Sequence, residues 1–429
     1  MSCNVPYPPV APSIERPILK TKDSSVALLV AIAYFGAGAD TVAFSLPFGQ
    51  LKLAAGIFIC MYFLLGKYIY YTKTELLCAA GVIGACLVST FFSINVPRSI
   101  AYTLLLAFNI FCVASIGRAL FSLSPKGFKA GLILCARLQI LMGVCLAVLG
   151  LQDRVSIFFY EPSYWAIALT PYLYFTAKKH ISLSWPDWVL IFTALLLTKS
   201  ANLVLLVVIA IVVSHLSSFS LKSILRMAVF LAITLGFLCF YAHVSDDLIA
   251  ITVRRILESD SILQQCLERG GTRYPRMMVA LDVFKNNLIH GIGPGTFFSF
   301  DKTEAILNSY PAFFPRHNIE QSPAINIFVE MGAEGGIIFL SAFVYYLYRG
   351  LMSKNSDTTY RYVMLVMILG LLFEASIQRT YFWVLLGAAS FMSSGAQAAN
   401  HSLQLNGEGI SLKELYLKLR AFFPRAKSA

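Results

Sequence analysis

The chain has 429 residues, of which 58% are hydrophobic and 13% charged, and it carries a formal net charge of +12. A soluble domain carries about 25% charged residues, so the composition excludes an ordinary soluble fold. Apolar runs of roughly 18 or more residues recur, each long enough to cross a ~30 Å hydrocarbon core. They predict an all-α polytopic membrane protein with about twelve transmembrane helices.

Residues 1–23 are polar and rich in proline, lack the apolar stretch of a cleavable signal, and read as a cytoplasmic tail. Residues 24–244 carry spans near 25–44, 50–71, 74–94, 99–121, 128–150, 161–177, 184–198, 200–216 and 224–243. The first is broken by Gly36, Gly38 and Asp40. Residues 245–321 form one long polar loop, and residues 322–396 carry the last spans, near 322–346, 360–376 and 380–396. In the tail, 397–429, Leu412, Leu415, Leu419 and Phe422 share a helical face while Lys413, Lys418 and Arg420 lie elsewhere. That pattern fits an interfacial helix on anionic lipid. Most cysteines fall inside apolar runs and read as small buried hydrophobes; Cys266 alone lies in the long loop, and no CxxC zinc spacing occurs.

Basic residues alternate between the two sides. One side carries Arg16, Lys20, Lys67, Lys73, Arg118, Lys126, Lys129, Lys178, Lys222, Arg349 and Arg361; short loops on the other hold only Lys52, Arg98, Arg154, Lys199 and Arg379. The positive-inside rule then puts both termini in the cytoplasm and the long loop outside.

The outward face collects the candidate site residues. Glu161-Pro162 opens the sixth span, where proline fits the first helical turn, and Ser322-Pro323 opens the tenth similarly, with Ser322 as N-cap. Helix N-termini favour phosphate. Glu161 reads either as a capping carboxylate or as a site residue, and Tyr160, Tyr164 and Trp165 fit an interfacial aromatic belt better than a sugar-stacking surface. In the long loop, Gly270-Gly271 precedes a helix carrying Arg273 and Arg276 on one face, and Gly291, Gly293, Pro294 and Gly295 end it in a tight turn. Arginine donates bidentate, charge-assisted bonds that suit pyrophosphate; the same arginines would also suit lipid headgroups. His317 is a candidate general base, and His290 reads as structural. Thr198-Lys199-Ser200 reads as an outward turn with Lys199 near the same anionic site. Arg137 is an intramembrane charge that needs a partner, for which Asp40 and Glu374 are the candidates.

Taken together, these residues resemble the Wzy-type polysaccharide polymerases, within the superfamily that includes the O-antigen ligases. The resemblance runs over nearly the whole chain and rests on Glu161-Pro162-Ser163-Tyr164-Trp165-Ala166, on Thr198-Lys199-Ser200, and on Arg273 followed by Gly291-Ile292-Gly293-Pro294-Gly295 and Glu330-Met331-Gly332. It implies a GT-C-like membrane enzyme of the inner membrane that moves a growing glycan from undecaprenyl pyrophosphate onto an incoming lipid-linked repeat unit at the periplasmic face. It implies no metal, cofactor or nucleotide sugar, and as partners the lipid bilayer, a flippase and a chain-length regulator. On that resemblance Arg273, supported by Arg276 and Lys199, meets the pyrophosphate, while His317 or Glu161 takes the acceptor proton. The ligases carry a His-Asn pair at a set distance before the span glycine; counted back from Gly332, that register holds Gln321-Ser322 here, and His317-Asn318 lies earlier. The departure favours polymerase over ligase. A lipid-linked oligosaccharide transporter would instead spread charges along its spans.

Overall fold

A computed structural model describes residues 21–39, 41–46, 49–178, 184–216, 273–300, 323–353, 357–374 and 377–390, with scattered positions between 236 and 258. His317, Asp40, Ser322, both tails and most of the ninth span lie outside the described residues.

The helices are α1 (Thr21–Ala37), α2 (Leu53–Leu65), α3 (Lys73–Phe91), α4 (Val96–Phe108), α5 (Ala114–Leu123), α6 (Pro125–Val148), α7 (Pro162–Ala168), α8 (Thr170–Ala177), α9 (Ser184–Thr198), α10 (Ala201–Leu216), α11 (Arg273–Asn286), α12 (Ile327–Leu351), α13 (Thr358–Gly370) and α14 (Thr380–Ala389). Between α1 and α2 a small antiparallel hairpin pairs β1 (Ala43–Leu46) with β2 (Gly49–Lys52), an addition to the all-α expectation. Among the described residues, four stretches are long and apolar enough to cross a membrane: Lys73–Phe91, Val96–Leu123, Pro125–Val148 and Ile327–Leu351. The second runs from α4 into α5 through a π-helical turn at Asn109–Val113.

Local sequence sets the starts. Thr72 accepts from Glu75 N to cap α3, Asn95 from Arg98 N to cap α4, and Ser124 from Gly127 N to cap α6. Proline occupies an early position in α4 and α6, where its missing N–H costs nothing. Two expected spans differ. The sixth is a pair of short helices, α7 and α8, that meet at Leu169 ahead of Pro171. The tenth begins at Ile327 and is capped by Asn326, whose Oδ1 accepts from Phe328 N and Val329 N. Asn326 does what Ser322 was expected to do, because Pro323 and Ala324 are not yet helical.

Turns gather at two ends of the bundle. At one, which we call the loop end, Thr41 N and Oγ1 both donate to Phe158 O, Val155 N to Leu197 O, Ile94 N to Ile292 O, and Ile327 N to Leu371 O. Thr380 Oγ1 donates to Ala37 O there as well. At the opposite end Ser124 Oγ donates to Asp23, and Lys178 Nζ to Ser214 O.

Among the described residues, two ion pairs tie distant helices, one of them fully buried. Arg118 Nη1 donates to Glu75 Oε2 at 2.6 Å and to Tyr70 O at 2.9 Å, while Nη2 donates to Glu75 Oε1. Both side chains are at most 1% exposed, so Arg118 is a core residue and not the loop cation that counting suggests. Arg137 Nε and Nη2 donate to the two oxygens of Asp187 at 2.9 and 3.0 Å, and Tyr172 Oη donates to Asp187 Oδ1 at 2.5 Å. Asp187, not Glu374, therefore balances Arg137, and Asp40 lies outside the described residues. It stands in the first turn of α9, which packs along α6.

Candidate functional site

The loop end is built around a break in α12. Gly336, inside that helix, has φ +65°, a left-handed conformation that glycine adopts at no steric cost. The break turns backbone groups toward the glycine turn that follows α11. Ile292 N donates to Ala333 O at 3.0 Å, Gly293 N to Glu334 O at 2.8 Å, and Ile337 N to Leu288 O at 2.7 Å. A side chain at Gly291, itself at φ +67°, would meet the Glu334 carbonyl at 2.3 Å, so only glycine permits this approach. Non-helical backbone at membrane depth is tolerated where protein supplies its hydrogen bonds, and here the turn supplies them.

Side chains reinforce the seam. Glu334 is 1% exposed and its Oε1 accepts from Phe297 N at 3.1 Å. Ser89 Oγ on α3 donates to His290 O and Glu334 O at 2.5 and 2.9 Å. His290 stacks on Phe92 with ring centroids 4.2 Å apart, which accounts for it structurally. Arg98 Nε donates to Gly295 O at 2.5 Å, and its guanidinium lies over Phe298. Glu330 Oε2 accepts from Ala324 N at 2.7 Å. A small apolar cluster of Val279, Ala280, Val283, Ile292, Phe297, Ala324 and Ala333 seats α11 on α12. Arg273 opens α11, and Arg276, half-buried, follows one turn later.

A second group stands at the same end. Glu161 precedes α7 but makes no capping bond with its side chain; Oε2 accepts from Ser163 Oγ at 3.2 Å instead. The carboxylate is exposed rather than committed to the helix end. Tyr164 and Trp165 are 5% and 0% exposed, so they do not form an aromatic belt; only Tyr160, at 71%, fits that expectation. Trp165 Nε1 donates to Gln139 Oε1 on α6. The Arg379 guanidinium carbon lies 3.7 Å from the Tyr164 ring centre. Glu374, 2% exposed, accepts from Asn202 Nδ2 at 3.2 Å. Lys199 is exposed in the turn between α9 and α10, with φ +47°.

The two groups are linked. Gly295 of the glycine turn packs on the Tyr102 ring. Gln378 Nε2 donates to Tyr102 O, and Gln378 precedes Arg379. Glu161, Lys199 and the α11 seam with Arg273 and Arg276 thus belong to one end of the bundle, whereas Arg137 lies elsewhere, on its own ion pair. Sequence reasoning did not single out Arg98, Asn202, Arg379 or Glu334, whose contacts lie at this end. Arg98 and Arg379 were visible as cations on the side where cations are scarce. Among the described residues no three His, Cys, Asp or Glu side chains are grouped to hold a metal.

The fold is that of an α-helical membrane protein. Residues 188–344 match the family model described as O-antigen ligase. The match runs from α9 through the glycine turn into α12, and it supports membership of the chain in the O-antigen ligase superfamily. Searches of curated proteins and of solved structures found no match.

Proposed function

We propose that this protein polymerises undecaprenyl-pyrophosphate-linked oligosaccharide repeat units into surface polysaccharide at the periplasmic face of the inner membrane. In this reading the loop end faces the periplasm and both termini the cytoplasm. An acceptor hydroxyl attacks the anomeric carbon of the donor glycan, the bond from that carbon to the pyrophosphate oxygen breaks, and undecaprenyl pyrophosphate departs. No metal is required: Arg273, supported by Arg276 and Lys199, stabilises the negative charge on the leaving group. His317 takes the acceptor proton, with Glu161 as the alternative base.

The observation that carries the reading is the docking of the Gly291–Gly295 turn into the break of α12. It ties a helix bearing two arginines to the end of the bundle where the uncommitted Glu161 carboxylate also stands. A flippase that delivers the lipid-linked units and a chain-length regulator are the expected partners.

A ligase that hands glycan to a lipid A core is the second reading, favoured by the description of the matched family. Deletion of the gene separates them. Loss of polymerisation leaves surface lipopolysaccharide capped with one repeat unit; loss of ligation leaves bare core. Unchanged polysaccharide would overturn both.

A further inference from the structure

Two carboxylates and one guanidinium meet around Tyr164. The Arg379 guanidinium carbon lies 3.7 Å from the Tyr164 ring centre, Tyr164 N donates to Glu161 O at 3.1 Å, and Glu374 stands in the same inter-helix segment as Arg379. Asn202 reaches Glu374 from α10. These residues come from three separate places, just before α7, the start of α10, and the segment between α13 and α14. We propose that Glu161, Asn202, Glu374 and Arg379 form a carbohydrate subsite that binds the neutral sugar portion of the lipid-linked substrate, apart from its pyrophosphate.

Charge decides the ligand class. A phosphate entering this cluster would meet two carboxylates for one arginine, and like charges at contact distance repel strongly where solvent is scarce. A sugar hydroxyl both donates and accepts. Carboxylate oxygens accept such bonds, and guanidinium and amide groups donate them. The arginine-bearing start of α11 has the opposite character and suits the pyrophosphate. The two parts of one glycolipid are thus served by two differently charged surfaces.

The backbone around Arg379 is also held in a way that an incidental surface loop would not need. Asn109, fully buried, sits in the π-helical turn between α4 and α5 and donates Nδ2 to Gln378 Oε1 at 3.1 Å and to Gln378 O at 3.4 Å. Trp383 Nε1 donates to Ile377 O at 2.6 Å. π-Helical turns are rare and recur at functional sites. Here the turn fixes the residue before Arg379, which presents the guanidinium with little freedom to lose on binding.

The inference rests on the glycolipid reading above. Its test uses the full chain in lipid nanodiscs and two probes, undecaprenyl pyrophosphate and the lipid-linked repeat unit extracted from a strain lacking this gene. Arg379→Lys and Glu374→Gln should each weaken binding of the glycolipid about tenfold, the effect of losing one charge-assisted hydrogen bond. Binding of undecaprenyl pyrophosphate should be unchanged, and its retention shows that the variants are folded. If either variant fails to fold, Asn202→Ala carries the same expectation. Equal losses for both probes would put these residues in the pyrophosphate site and overturn the subsite. Unchanged glycolipid affinity would make the cluster purely structural and overturn it as well. Wild-type protein that binds neither probe would overturn the functional reading itself, a result distinct from both.

Discussion

Glu334 is held by the glycine turn twice over. Its carbonyl accepts from Gly293 N at 2.8 Å and its carboxylate from Phe297 N at 3.1 Å. Glu334→Ala keeps the first bond and removes the second, leaving a buried N–H without its partner. The cost should be roughly 1–3 kcal/mol. It should appear as a lower thermal midpoint in detergent and faster proteolysis between residues 287 and 300. Wild-type protection of that segment would mean the carboxylate does not hold it.

Gly336→Ala should be far more damaging. The position has φ +65°, and an added methyl would meet the Ile289 carbonyl at 2.2 Å. Backbone strain alone costs about 1–3 kcal/mol. The variant should be depleted from membranes by immunoblot, while Gly66→Ala, where an added carbon meets nothing within 4 Å, should accumulate normally. Equal levels of the two would contradict the break in α12.

Arg137→Ala leaves Asp187 buried without its guanidinium. Removing one member of a buried pair costs about 3–5 kcal/mol, and because Arg137 is 38% exposed roughly 2–3 kcal/mol is the better figure. The double variant Arg137→Leu with Asp187→Leu should recover part of that loss in a thermal scan. A double variant less stable than the sum of the singles would argue against direct pairing.

Arg273→Ala should abolish polymer while the protein stays in the membrane, with a rate loss of about 10²–10³-fold, the size seen when a charge-stabilising donor is removed. Glu161→Gln and His317→Ala should each lower polymer yield more than His290→Ala, because His290 is accounted for by its stack on Phe92. A normal ladder of polymer lengths in Arg273→Ala would sink the pyrophosphate assignment.

Orientation can be read from single cysteines in a cysteine-free background. Lys199, in a turn, and Lys126, at the start of α6, are both exposed, at opposite ends of the bundle. An impermeant thiol reagent applied to intact spheroplasts should label Lys199→Cys and spare Lys126→Cys until the cells are lysed. The reverse pattern would invert the topology.

Local features were legible in the chain; pairings across it were not. The spans holding α4 and α6 are legible near 99–121 and 128–150, without the caps at Asn95 and Ser124 that set their starts, and the turn at Lys199 follows from a polar triplet inside an apolar run. Arg137 was evident as a charge at membrane depth, but its partner lies 50 residues away. Asp187 near a helix start looks like an ordinary first-turn acid, and only the packing of α9 on α6 gives it another task. Tyr164 and Trp165 show the same limit. Aromatic residues near a span end suit a membrane interface, and burial under Arg379 and against Gln139 depends on neighbours from elsewhere in the fold. Arg379 itself was counted for its sign alone, because nothing near it in sequence reveals the contacts of Tyr164 and Gln378.

The break in α12 also bears on how the protein can move. The backbone groups that a straight helix would satisfy internally are satisfied by the glycine turn, so lifting that turn would strand Ala333, Glu334 and Ile337 at membrane depth. In the proposed reaction, admission of a substrate must leave the turn seated, because the stretch from Leu288 to Phe297 behaves as part of the span.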